Sequence, residues 1–187
     1  MSAPNVAGPG IGSAPRSSAQ LWWGVGAVVL MATIAAVAAW PIYENWRVAL
    51  VVGVGVLIGA GSVLLGWFLR LRWGWTAGIV TLGYVIAVVP VEIPSALGDT
   101  GRFVRGLIDG VLGIAVGWKQ LLTVSLPAAD YQAVLVPLFV VVVVGTLVAT
   151  ALIVHGGRWA ALAVVPLLAM PLFGAAFGSH ETGADVV

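Results

Sequence analysis

The chain contains no cysteine. Disulfides, zinc–thiolate sites and a cysteine nucleophile are therefore excluded, and the redox compartment is left open. Charge is scarce too. Asp, Glu, Lys and Arg make up 8% of the 187 residues, against roughly 25% in a soluble globular domain. A water-facing surface cannot be assembled from so few charges. The net charge of +1 offers neither a nucleic-acid surface nor a polybasic arm. What is present is apolar: 61% of the residues are hydrophobic and mean hydropathy is +1.11. Most of the chain must face lipid or protein. The sequence predicts an all-α integral membrane protein, a bundle of about five transmembrane helices plus one amphipathic interfacial helix.

Residues 1–20 are rich in Gly, Pro, Ser and Ala, with Arg16 as the only charge. They cannot bury a core and read as a disordered tail. A polytopic membrane domain is expected over 21–177, followed by a polar tail, 178–187. Five apolar runs, at about 21–40, 48–69, 74–91, 133–154 and 159–177, contain no Asp, Glu, Lys, Arg or His. About 20 apolar residues at 1.5 Å rise cross the roughly 30 Å hydrocarbon core. The β-branched stretch Val140 to Val144 would favour a strand in water. In lipid an open strand leaves backbone groups unpaired, so a helix is expected. The last run is expected to kink at Pro166 and Pro171. The run 21–39 ends in Ala36-Val37-Ala38, which resembles a signal-peptide cleavage site. Its length and single upstream Arg favour an uncleaved span instead.

The nine tryptophans fall at the proposed boundaries. Trp22 and Trp23 open the first run and Trp40 closes it. Trp46 and Trp67 bracket the second, Trp73 and Trp75 open the third, Trp159 opens the last, and Trp118 ends the apolar part of the long loop. Indole rings prefer the membrane–water interface, where the apolar body and the N–H are both satisfied.

The long loop, 92–132, holds a segment of helical period at about 102–118. Arg102, Arg105, Gly106, Asp109, Gly110, Gly113 and Gly117 lie along one stripe, and apolar residues fill the rest. That pattern suits a helix lying in the interface. The glycines also admit a close-packing face against another helix. A sixth span is disfavoured by the cost of Asp109 in lipid. The side chains of Arg102, Arg105, Asp109 and Lys119 are the candidate partner-contact surface.

With five spans, the N-terminus, the Arg70–Arg72 turn and the His155–Arg158 turn share one side, which carries Arg16, Arg70, Arg72 and Arg158 and no acid. The other side carries four basic residues and all seven acids. The tight basic turns favour a cytoplasmic N-terminus and an extracytoplasmic C-terminus in the cell membrane.

The absence of ionisable groups from the runs argues against an ion-coupled carrier. His155 and His180 fall on opposite sides in this topology and cannot share a metal; His155 reads as a plain interfacial residue. Gly53-Val54-Gly55 lacks the third glycine of a dinucleotide loop, and Ser62 lacks the spacing of a nucleophile elbow. Gly55 and Gly59 match the small-xxx-small packing pattern, a weak signal among 25 glycines. No catalytic, cofactor-binding or metal residue is predicted, and no cofactor.

The stretch Gly117-Trp118-Lys119-Gln120-Leu121-Leu122-Thr123-Val124-Ser125-Leu126-Pro127, with Tyr131-Gln132 and the fourth run, resembles the N-terminal membrane region of bacterial TgpA-type transglutaminase-like proteins, especially actinobacterial ones. The run His155-Gly156-Gly157-Arg158-Trp159, continuing to Pro166 and Pro171, is similar to the same region. The resemblance spans roughly residues 21–178. It implies a cluster of spans followed, in the family, by an extracytoplasmic domain with a Cys-His-Asp triad and a final span. This sequence has no cysteine, so no catalytic residue carries over. The resemblance thus implies a membrane anchor or scaffold that is not an enzyme by itself, either the membrane half of a split or truncated product or a stand-alone relative. Its expected partners are the lipid bilayer and an extracytoplasmic transglutaminase-like or peptidase-like chain, not nucleic acid. The alternative is a small transport or accessory protein.

Overall fold

A computed structural model describes residues 18–37, 40, 46–92, 100–123, 135–155 and 157–178. Among these there are six α-helices: α1 (Ser18–Val37), α2 (Arg47–Phe68), α3 (Trp73–Glu92), α4 (Thr100–Thr123), α5 (Val136–His155) and α6 (Val164–Gly178). A 3-10 helix, Gly157–Ala163, precedes α6. The all-helical expectation therefore holds for the described residues. Three helical stretches, Arg47–Phe68, Trp73–Val91 and Val136–His155, are long and apolar enough to cross a membrane; Ser18–Ile34 and Trp159–Leu172 are apolar but shorter. The β-branched stretch Val140 to Val144 lies inside α5, where each helical backbone group finds its partner within the segment.

α5 is the centre of the molecule. Leu138, Phe139 and Val142 are fully buried, and the five other α-helices approach this helix, as does the 3-10 helix. A Cβ on Gly24 of α1 would lie 2.8 Å from Ile153. One on Gly55 of α2 would lie 2.8 Å from Val142, and one on Gly59 would run into the Thr146 side chain and reach the Val143 carbonyl at 2.6 Å. Gly145 of α5 faces Met170 and the Pro166 carbonyl, and Gly113 of α4 faces Val136. From α3, the Tyr84 ring stacks on Phe139 at 5.3 Å between centroids. Apolar solvent offers no hydrophobic drive between helices. Association then rests on dispersion at close approach, which missing side chains permit.

These contacts fix the directions. Gly55 meets Val142 and Gly59 meets Thr146, so α2 and α5 run parallel. Gly66, near the end of α2, meets Thr76, near the start of α3, so α3 returns antiparallel. One end of the bundle therefore gathers the start of α1, the α2–α3 turn and the end of α5. The other holds the end of α3, α4 and the start of α5.

The outward face is apolar: Leu57 is 73% exposed, Phe68 78% and Ile86 63%. In water such a continuous surface would associate; against hydrocarbon it is matched. The eight tryptophans whose side chains are described are all exposed near helix ends.

Two boundaries differ from the sequence reading. Ser18–Gln20, assigned to the tail, form the first turn of α1. The last run is not one helix kinked at Pro166. It begins as the 3-10 helix Gly157–Ala163, and α6 starts at Val164. Pro166 sits in the first turn of α6, where a missing N–H costs nothing because that donor has no intrahelical partner anyway. Pro171 alone lies inside the helix.

Candidate functional site

α4 carries the predicted contact residues. At 100° per residue, Arg102, Arg105 and Asp109 fall along one edge, with Gly106, Gly110, Gly113 and Gly117 beside them. The sequence reading placed all seven on one stripe, and the structure divides it. The four glycines are buried, while Arg102, Arg105 and Asp109 are exposed. The glycines are the packing face: a Cβ on Gly110 would lie 2.5 Å from Val88 of α3, and one on Gly113 would lie 3.1 Å from Val136. The buried Tyr84 hydroxyl donates a 3.0 Å hydrogen bond to the Gly110 carbonyl, pinning the middle of α4 to α3. Opposite the glycines, Val104, Ile108 and Leu112 form an outward apolar row, each half-exposed. Lys119 is in α4, but its side chain lies outside the described residues, as do Trp118's side chain and Asp99, Tyr131, Gln132 and His180.

The opposite end of the bundle holds a second cluster, which the sequence reading treated as a plain turn. α2 stops at Leu69 with two bonds: Arg70 N–H donates to the Trp67 carbonyl at 3.2 Å and Leu71 N–H donates to the Gly66 carbonyl at 2.8 Å. This pair of bonds is a Schellman stop, whose C′ residue adopts the left-handed conformation normally given to glycine. Here that residue is Arg70, with φ of 53°. A non-glycine residue in this region costs about 1 kcal/mol or more. The turn brings Trp73 against His155 at the end of α5, with ring centroids 5.3 Å apart and planes tilted by 49°. Below the rings, a small cavity of about 20 Å³ is lined by Val63, Gly66, Thr76 and their neighbours, room for about one water. A cleft of about 440 Å³ shares part of that lining and is bounded by Gly66, Trp67, Phe68, Arg70, Leu71 and His155.

Sequence reasoning missed both the Tyr84 anchor and the Arg70 cluster. The single tyrosine of this apolar run was a usable signal, because a buried phenol needs a partner. The Trp73–His155 pairing depends on how α3 and α5 pack, which no local pattern carries. The buried polar residues of the described core are Ser62, Thr76, Thr146 and Thr150. Ser62 and Thr146 donate their hydroxyl protons to carbonyls one turn earlier, Ile58 and Val142, and the Thr150 hydroxyl has no partner among the described residues. Among the described residues no three His, Asp or Glu side chains gather as a metal-ligand set. No family model, no curated protein and no solved structure matches the chain.

Proposed function

We propose that the chain is a five-span membrane scaffold that holds α4 at the outer interface as a docking base for an extracytoplasmic catalytic chain. α1, α2, α3, α5 and the segment from Gly157 to Gly178 are the five crossings in this reading. The three long apolar helices support it, and α1 and the last segment contain the shorter apolar stretches Ser18–Ile34 and Trp159–Leu172. The acid-free Arg70–Arg72 turn favours the cytoplasmic side for its end of the bundle. That assignment puts α4 outside, with Val104, Ile108 and Leu112 in the acyl boundary and Arg102, Arg105 and Asp109 at headgroup level.

The observation that carries the reading is the division of α4 into a buried glycine face and an exposed charged edge. A helix seated this way is anchored by its glycine face while its charges stay exposed to a partner. The core supports a scaffold over a carrier, because the buried residues of the described spans include no Asp, Glu, Lys, Arg or His, the groups that ion coupling and proton relay require. A bound catalytic chain of the transglutaminase-like class, which the sequence resemblance implies, supplies the cysteine that this chain lacks. Charges at such a rim mainly set association rate and register.

The test is to co-express the chain with its genomic neighbours and isolate it in mild detergent. The expected result is a co-purifying transglutaminase-like or peptidase-like chain, released by Arg102→Glu with Arg105→Glu and retained by Arg72→Glu at the other end. A purified chain that moves a solute across liposomes without any partner would overturn the scaffold reading.

A further inference from the structure

The Arg70 turn presents a problem that the fold alone does not solve. Among the described residues two positions have the left-handed conformation that favours glycine; one holds Gly157, and the other, in a chain with 25 glycines, is occupied by arginine. Both hydrogen bonds of the Schellman stop come from the backbone, so the stop itself makes no use of the guanidinium. Arg70, exposed in the turn, lines the open cleft together with His155, and Trp67 forms part of its wall. Trp73 packs against the His155 ring. The cleft volume of about 440 Å³ lies within the roughly 300–1,000 Å³ of small-ligand pockets.

We propose that this cleft binds the phosphate of an anionic glycerophospholipid headgroup, with Arg70 as its principal cationic contact and His155 as the second polar wall. This inference rests on the membrane-spanning reading but not on the docking role of α4. A guanidinium presents N–H donors in a planar fork that matches two phosphate oxygens. The tryptophans fix the depth of the cleft at the interface, where a headgroup phosphate lies. Basic pockets between helices are a recurring site for such headgroups. Phe68, 78% exposed beside the cleft, offers an apolar surface along which acyl chains would lie. Arg72 is also exposed in the turn but does not line the cleft, so it serves as an internal control of equal charge.

The experiment uses the full chain in nanodiscs of phosphatidylcholine alone or with phosphatidylglycerol added. Thermal unfolding and native mass spectrometry of retained lipid are the readouts. The wild-type chain is expected to retain phosphatidylglycerol and to unfold at higher temperature when it is present. Arg70→Gly is expected to lower that retention about tenfold, the effect of losing one charge-assisted contact. In phosphatidylcholine alone its Tm is expected to equal or exceed wild type, because glycine relieves the left-handed strain. Arg70→Lys should keep part of the retention and Arg72→Gln nearly all of it. Equal losses for Arg70→Gly and Arg72→Gln would reduce the effect to general surface charge and overturn the site. A fall in the Tm of Arg70→Gly in phosphatidylcholine would assign Arg70 to stabilising the end of α2 and also overturn it. Stabilisation of the wild type in phosphatidylcholine by inorganic phosphate, equal to that by phosphatidylglycerol, would assign the cleft to a free anion instead of a lipid. Loss of the α4 partner without any change in lipid retention would leave this site standing, which separates the two proposals.

Discussion

The seam between α2 and α5 and the seat of α4 both rest on buried glycines, yet they differ in what surrounds them. In the seam, Gly55 and Gly59 bring two apolar helices together along their length, with Phe139, Val142 and Thr146 filling the space. Leu138, Phe139, Val142 and Thr146 are fully enclosed. In the seat, Gly110 and Gly113 bring an amphipathic helix against the ends of α3 and α5. One side-chain hydrogen bond, from Tyr84, adds to the contact, and the other faces of α4 stay exposed. Close packing alone thus does not mark a region as core. The seam buries one face of each of two helices and sets the fold. The seat only positions a surface, and it costs the fold less to disturb.

The largest difference is expected at Gly59. A Cβ there meets the Thr146 side chain and a backbone carbonyl, so Gly59→Ala must push the helices apart. We expect a loss of about 2–3 kcal/mol in detergent unfolding. Gly53→Ala, on the same helix with nothing within 4 Å of its Cβ, should instead gain up to about 1 kcal/mol from helix propensity. If both substitutions destabilise alike, the seam is not set by close approach.

Gly110→Ala is the matching probe of the seat. Its Cβ meets the branched Val88 side chain, whose rotamers are few. The expected cost is about 1–2 kcal/mol, confined to α4: amide exchange should speed up in 100–123 while the α2–α5 seam keeps its protection. Equal acceleration in both regions would show that seat and seam are one cooperative unit.

Tyr84→Phe is the mildest test. It removes the hydroxyl and leaves the ring stacked on Phe139, so about 1 kcal/mol should be lost. Unchanged exchange in α4 would mean that the glycine contacts alone hold that helix.

Much of the helix layout was legible in the sequence because apolar runs of span length, bounded by tryptophan, have few alternatives in lipid. The β-branched run in α5 could be assigned to a helix on that argument alone. The 3-10 opening of the last segment was not legible, since Pro166 fits either a kink or a helix start until its position in the turn is known. The charged candidates Arg102, Arg105 and Asp109 were visible by period. The separation of the glycines from them was not, because a wheel gives adjacency on one helix and not which sector a neighbour covers. The Arg70 cleft was hidden for a similar reason: it is assembled from the ends of α2 and α5 and the turn after α2, and its only local sign is an arginine where a tight stop favours glycine.

The central claim, a scaffold with α4 outside and the Arg70 turn inside, is tested most directly by thiol labelling, since the chain has no cysteine of its own. Arg105→Cys and Arg72→Cys would each be expressed in intact cells and treated with an impermeant maleimide. The account predicts rapid labelling at position 105 from outside and labelling at position 72 only after the membrane is permeabilised. Labelling of position 72 from outside with position 105 protected would contradict it.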